Sequence, residues 1–142
     1  MVIDHVGVVV RSLEAGMHQW KELFGYVRSS AIVNNTRQKV NVVFMAKYGS
    51  MTVKLIEPSS ADSPIASVAR KGGGLHHICF RCDGMTSSIA RLQELGARMV
   101  APPQPGEAFD NHDIAFLLVP GNLNVELIDT SEKCGWADPT RQ

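Results

Sequence analysis

The chain repeats itself at a constant offset of 72 residues, and no other feature restricts its possible folds as much. Ile3-Asp4-His5-Val6-Gly7-Val8 falls on Leu75-His76-His77-Ile78-Cys79-Phe80, and Val53-Lys54-Leu55-Ile56-Glu57 falls on Val125-Glu126-Leu127-Ile128-Asp129. The register holds without a gap over residues 3–58 against 75–130, with Phe44/Phe116, Gly49/Gly121, Val53/Val125 and Leu55/Leu127 among the identities. Apolar positions and a turn glycine that stay in phase over such a span mark a duplicated structural module. Two copies are too few for a solenoid, so they are expected to close on each other.

Each copy opens with a short apolar, β-branched run and then changes to helical spacing. Leu13, Met17, Trp20, Leu23 and Phe24 form one stripe, and Met85, Ile89, Leu92 and Leu95 form the other, as in helices that cover one face of a sheet. Ser12 is the expected N-cap of the first helix, and Gly25 and Gly96 end the two helices. Three extended segments follow each helix, at residues 28–34, 40–46 and 51–57, then at 98–102, 113–119 and 123–129. Tyr48-Gly49-Ser50 and Pro120-Gly121-Asn122 join the last two of each set as hairpin turns. The expected fold is therefore α+β, with two tandem βαβββ modules forming an eight-stranded half-open barrel around a concave cleft.

One domain is expected over residues 1–142, with module one at about 1–58, a linker helix within 59–74, module two at about 75–130 and a tail at 131–142. In the linker, Ser63 reads as an N-cap and Pro64 as the first helical residue. Residues 102–112, interrupted by Pro102, Pro103, Pro105 and Gly106, read as a loop over the cleft, either a lid or plain surface.

With 142 residues, 44% of them hydrophobic and 20% charged, the chain is long enough to bury one good core. Fourteen basic and fourteen acidic residues cancel, which leaves no overall field to hold nucleic acid or an anionic membrane. Neither partner is expected. The apolar run at residues 6–10 follows no basic leader and is too short for a signal segment, so a cytoplasmic location is expected. Cys79, Cys82 and Cys134 have no framework spacing and are expected to stay reduced. Cys79 and Cys82 lie three apart in a strand, which directs their sulfurs to opposite faces and argues against a redox pair.

Alternation along the strands decides where the polar residues of the repeat point. Val6, Val8 and Val10 share one face of the first strand and His5 and Gly7 the other, while Ile78 and Phe80 oppose His77 and Cys79. Val53 and Leu55 oppose Lys54, and Val125 and Leu127 oppose Glu126. All four polar residues thus take the face that the helices leave uncovered, and two curved modules would bring them to the floor of one cleft. A lone histidine is more often a hydrogen-bonded structural residue than a ligand. Two at matched positions beside a matched carboxylate fit a divalent metal such as Zn, Ni, Co, Mn or Fe.

Ile3-Asp4-His5-Val6-Gly7-Val8-Val9-Val10, Lys54-Leu55-Ile56-Glu57-Pro58, Asp62-Ser63-Pro64-Ile65-Ala66, Gly73-Gly74-Leu75-His76-His77-Ile78-Cys79 and Val125-Glu126-Leu127 carry a family resemblance. The chain, to about Thr130, resembles the vicinal oxygen chelate superfamily, and within it the methylmalonyl-CoA epimerase and glyoxalase I branch. The resemblance implies a metal held by His5, His77 and Glu126. It also implies proton transfer next to a carbonyl through a metal-stabilised enediolate, an isomerase or lyase chemistry in which Glu126 is a catalytic candidate; Lys54, beside it, is the second candidate on its own chemistry. The family's remaining ligand is usually Gln or Glu, and that position here is Lys54, whose ammonium has no lone pair to offer. Two outcomes stay open. Either the other three bind a metal while Lys54 serves a substrate oxygen, or the Lys54 ammonium pairs with Glu126 and no metal is bound. Residues 40–44, where the epimerases can carry a second base, contain no acid.

The expected partner is a small-molecule substrate, and the expected assembly a homodimer. The alternatives are a metal-free protein of the antibiotic-binding type and an iron-dependent dioxygenase, for which His112 is available but no tyrosine lies near it in sequence.

Overall fold

The structure is a computed structural model and describes residues 1–139. In module one, β1 (Val2–Val9) leads to α1 (Leu13–Phe24), then β2 (Val27–Arg28), β3 (Val33–Asn35), β4 (Val40–Ala46) and β5 (Thr52–Pro58). A short α2 (Ala66–Arg70) crosses to β6 (Gly74–Arg81), α3 (Met85–Glu94), β7 (Arg98–Gly106), a 3-10 turn (Glu107–Phe109), β8 (His112–Val119) and β9 (Leu123–Ile128). The strands form one open sheet in the order β2-β4-β5-β1-β6-β9-β8-β7, with β3 also on β4. No helix among the described residues is long and apolar enough to cross a membrane.

The fold is α+β as the repeat implied, with nine strands among the described residues rather than eight. The segment expected at residues 28–34 is broken. Ser29 N donates to Phe44 O, while Phe44 N donates to Ser30 Oγ instead of to backbone, so the side chain replaces one ladder bond and β3 resumes only at Val33. Ser12 caps α1 by accepting from Ala15 N, and Gly25 ends it at φ 73°. Ser63 does not cap α2: its backbone closes turns with Ser60 and Ala66, and the helix begins at Ala66.

The stripe of α1 is buried for only part of its length. Leu13, Met17 and Trp20 pack on Val43, Met45, Val53 and Leu55, but Leu23 and Phe24 are exposed, where the next strand, β2, is only two residues long. Residues 102–106 are strand, not loop. They form the outer edge of the sheet, where prolines need no partner for a missing N–H. Residues 107–109 then turn inward, and Phe109 is fully buried, so this segment is a wall of the interior rather than a flap.

The modules join where β1 and β6 run antiparallel, with His5 opposite Cys79 and Gly7 opposite His77. Each central strand has a parallel neighbour, β5 on β1 and β9 on β6, so the repeat becomes an approximate two-fold. Far from that seam the modules meet again: Asn35 Oδ1 accepts from the buried Ala108 N at 3.0 Å, and Glu107 accepts from Thr36 N and Oγ1. Asn35→Ala leaves the Ala108 N–H buried without a partner, and urea unfolding should show a loss of about 1–3 kcal/mol.

Candidate functional site

The face left bare by the helices lines the interior. His5, Lys54, His77 and Glu126 all lie there, each at most 3% exposed. Their strands are adjacent in the order β5-β1-β6-β9, so the side chains converge from four neighbouring strands. Glu126 is the centre. Its Oε1 lies 3.0 Å from His5 Nε2 and 3.6 Å from His77 Nε2, the two imidazole nitrogens are 3.5 Å apart, and Lys54 Nζ is 3.1 Å from Oε2. The Lys54 ammonium also faces the rings of Phe109 and Phe44 at 5.1 and 6.0 Å, a favourable setting for a buried cation.

Placing the His77 ring requires a glycine in the facing strand. A Cβ on Gly7 would stand 2.2 Å from His77 Cε1 and 2.5 Å from both ring nitrogens. Gly7 is an ordinary strand residue by sequence, and its cross-strand neighbour explains it.

Electrostatics follow from burial. Burial alone would raise the Glu126 carboxyl, but the Lys54 ammonium, then His77 and the hydrogen bonds from both histidines, outweigh it and hold the group well below the usual carboxylate range. Burial pushes His77 down to about 4 against the opposing pull of Glu126, and lowers its neighbour His76 with help from Lys54. Cys79 is pushed up, first by burial and then by Glu126, so it is an inert thiol. Asp4 Oδ2 lies 2.8 Å from His5 Nδ1, and His76 Nδ1 lies 2.9 Å from His77 Nδ1.

A cation would take the place of the Nε2 protons: with the proton of each imidazole on Nδ1 instead, both Nε2 lone pairs and Glu126 Oε1 would face one point. The three donors also have the right spacing. Bonds of roughly 2.0–2.2 Å put the edges of a tetrahedral or octahedral face at roughly 2.8–3.6 Å, and the edges here are 3.0, 3.5 and 3.6 Å. The donor set of His5, His77 and Glu126 therefore fits a divalent metal, with Asp4 and His76 orienting the rings from behind, as metal-bound histidines are commonly held.

Above this floor opens a cavity of about 430 Å³. Val40, Val42, Ile56, Ile65, Ile114 and Phe116 make its walls apolar, and Arg37, Gln38, Gln104, His76 and Asn124 add polar groups. Gln38 is notable because both atoms of its amide are buried without a partner. Sequence reasoning missed Gln38, His76, Asp4 and Phe109. The first lies in a turn without a motif, Asp4 and His76 bond the histidines next to them, a contact that simple strand alternation does not foresee, and Phe109 depends on a distant segment. His112 bonds Phe109 O and Tyr26 bonds Ser50 and Met51. Neither they nor Tyr48 line the cavity.

A family model described as the Glyoxalase/Bleomycin resistance protein/Dioxygenase superfamily matches residues 4–116. The chain belongs to this superfamily. Within it, the chain is 30% identical to the uncharacterized protein YqjC of Bacillus subtilis over 136 residues, covering 94% of this chain and 93% of that one. It is 29% identical to the ethylmalonyl-CoA/methylmalonyl-CoA epimerase of Cereibacter sphaeroides over 117 residues, covering 81% and 86%. The crystal structure of methylmalonyl-CoA epimerase from Mycobacterium tuberculosis superposes with a TM-score of 0.76 at 26% identity, over 89% and 85% of the two chains.

Two outcomes follow for this superfamily member. Gly7→Ala should displace the His77 ring and cost about 1–3 kcal/mol by overpacking, read as a lowered unfolding midpoint. In chelator-treated protein, stability should also fall as pH drops from 7 to 4. Over that interval the unfolded His77, at an ordinary 6.5, binds a proton that the folded residue, at about 4, refuses. The loss is on the order of 3 kcal/mol. Glu126, lowered in the fold, adds to the loss in the same direction below its ordinary range. Thermal melts against pH check both.

Proposed function

We propose that the protein is an epimerase-type enzyme that moves a proton on the carbon next to the carbonyl of an acyl thioester, with methylmalonyl-CoA or a close 2-substituted malonyl-CoA as substrate. The observation that carries the reading is the triangle of His5, His77 and Glu126 donors, of which His77 and Glu126 line an apolar cavity together with Lys54. The relatives named as epimerases for such thioesters support the substrate class.

His5, His77 and Glu126 would hold the divalent metal, which supplies Lewis-acid stabilisation of the negative charge that develops on the substrate oxygen. The Lys54 ammonium, fixed against Glu126 and two aromatic faces, offers a second positive charge to a substrate carboxylate or carbonyl oxygen. Glu126 is ionised and lines the cavity, so it is the carboxylate placed to accept the α-proton, and the low proton affinity that Lys54 and the histidines give it leaves most of the driving force to stabilisation of the substrate's charge. His76 lines the cavity too. When its Nδ1 accepts from His77, its own proton sits on Nε2; giving that proton to the substrate balances once His76 is reloaded with the α-proton that Glu126 has taken. This assigns the second proton carrier to β6 rather than to residues 40–44, where Val40 and Val42 face the cavity. The apolar walls exclude water, which strengthens each of these charges.

A metal-free binding pocket is the second reading, and the buried 3.1 Å pair of Lys54 and Glu126 is the observation that favours it. Elemental analysis of protein purified without chelator separates the two. Exchange of the α-proton of methylmalonyl-CoA in D2O, followed by NMR with added Co2+ or Mn2+, tests the chemistry. Wild-type protein should wash the proton out, and Glu126→Gln should slow it by roughly 100-fold or more; no washout by the wild type would sink the enzyme. Lys54→Gln should weaken thioester binding by about 1–3 kcal/mol in calorimetry. Unchanged thioester affinity with tighter metal binding would remove Lys54 from the substrate role.

A further inference from the structure

The strap at residues 131–138, beyond the stretch matched by the family model, does not trail into solvent. It runs back into the break between β2 and β3. Ala31 N donates to Cys134 O at 3.1 Å, Ala137 N to Ser29 O at 2.8 Å, and Cys134 N to Ala108 O at 2.9 Å, so the strap is stitched to module one and to the 3-10 turn of module two together. Gly135 permits this close approach: its φ is +65° and a Cβ there would meet Ala31 Cβ at 2.8 Å.

This path turns Lys133 inward. Its side chain is 8% exposed, with Nζ 3.0 Å from Asp4 Oδ2, and the ammonium lies 5.3 Å from the Phe44 ring centroid. A lysine is rarely buried unless paired, and here the pair sits directly behind the site, since Asp4 Oδ2 also holds His5 Nδ1 at 2.8 Å. We propose that Lys133 is a positioning residue: by pinning the Asp4 carboxylate it fixes the His5 ring with Nε2 aimed at Glu126 and His77.

The geometry gives Asp4 little else to hold it. Arg81 Nη1 is 3.7 Å from Oδ1 on a side chain 41% exposed, too long and too solvated to set the carboxylate's direction. Without Lys133, a nearly buried carboxylate loses its close counter-charge and turns toward Arg81 and water, which releases His5 Nδ1 and lets the ring rotate. The arrangement divides the charges evenly. Lys54 serves Glu126 and Lys133 serves Asp4, with His5 between the two carboxylates.

The inference rests on reading the site as a cation centre only for its binding readout. Calorimetry with Mn2+ or Zn2+ alone should show Lys133→Met weakened by roughly 10- to 100-fold, as for other groups that orient a metal-bound histidine, and Lys133→Arg restored. In chelated protein, NMR relaxation of the His5 Cε1–H should show a mobile ring in Lys133→Met and a rigid one in wild type and Lys133→Arg. Asp4→Asn should reproduce the Met variant, and the double variant should be no worse than Asp4→Asn, because both act along one route. A rigid His5 ring with unchanged cation affinity in Lys133→Met, or additive effects in the double variant, would overturn the proposal and leave Lys133 a fold brace. Should Lys133→Met not fold, Lys133→Gln and Asp4→Asn carry the same readouts. If wild-type protein binds no cation, the metal reading fails while the ring dynamics still decide on Lys133.

Discussion

A carboxylate with no exposure to water has to be neutralised inside the protein, and Glu126 sets that requirement for the whole interior. Leaving such a charge unpaired costs several kcal/mol. Lys54 answers from β5, His5 from β1 and His77 from β6. Each answer makes a further demand. His77 needs Gly7 to leave room for its ring, His5 needs Asp4 behind it, and Asp4 needs Lys133, which in turn needs the strap docked on residues 29–31. One buried charge thus links both modules and the C-terminal segment into a single electrostatic unit.

Duplication supplies the frame for this unit, and departures from the duplication supply its chemistry. The two histidines are equivalent by the two-fold. The two positions that face them are not, because one holds Lys54 and the other Glu126. Opposite charges at equivalent places attract across the axis and keep the halves together without an external ion, while the three remaining donors keep the spacing a cation requires. Gly7 and Cys79 break the symmetry likewise, with room made for one ring and a buried thiol beside the other. A site built this way is asymmetric within a symmetric frame, with a cation on one side of the axis and a carboxylate on the other.

Much of the centre was legible in the sequence. The constant offset fixed which strands are equivalent, and the two-residue period of a strand then placed His5, Lys54, His77 and Glu126 on the bare face. Helix N-capping by Ser12 and the hairpin turns were equally readable, because both depend on residues close together in the chain.

What the sequence by itself determined is therefore the repeat, the α+β class and the common face of four polar residues, all consequences of local periodicity and of register between two copies. The tertiary structure alone decided the rest. The break after Arg28 depends on Ser30 bonding Phe44, the inward turn of Phe109 on Asn35 holding Ala108, and the burial of Lys133 on Asp4, 129 residues away. Gln38 has no motif at all and acquires meaning only from the cavity it lines. These features rest on pairs of groups whose separation along the chain is large and whose distance in space is a few ångströms. No pattern within a window of sequence encodes such a pairing, since its free energy exists only once the sheet has curved and brought the two ends together.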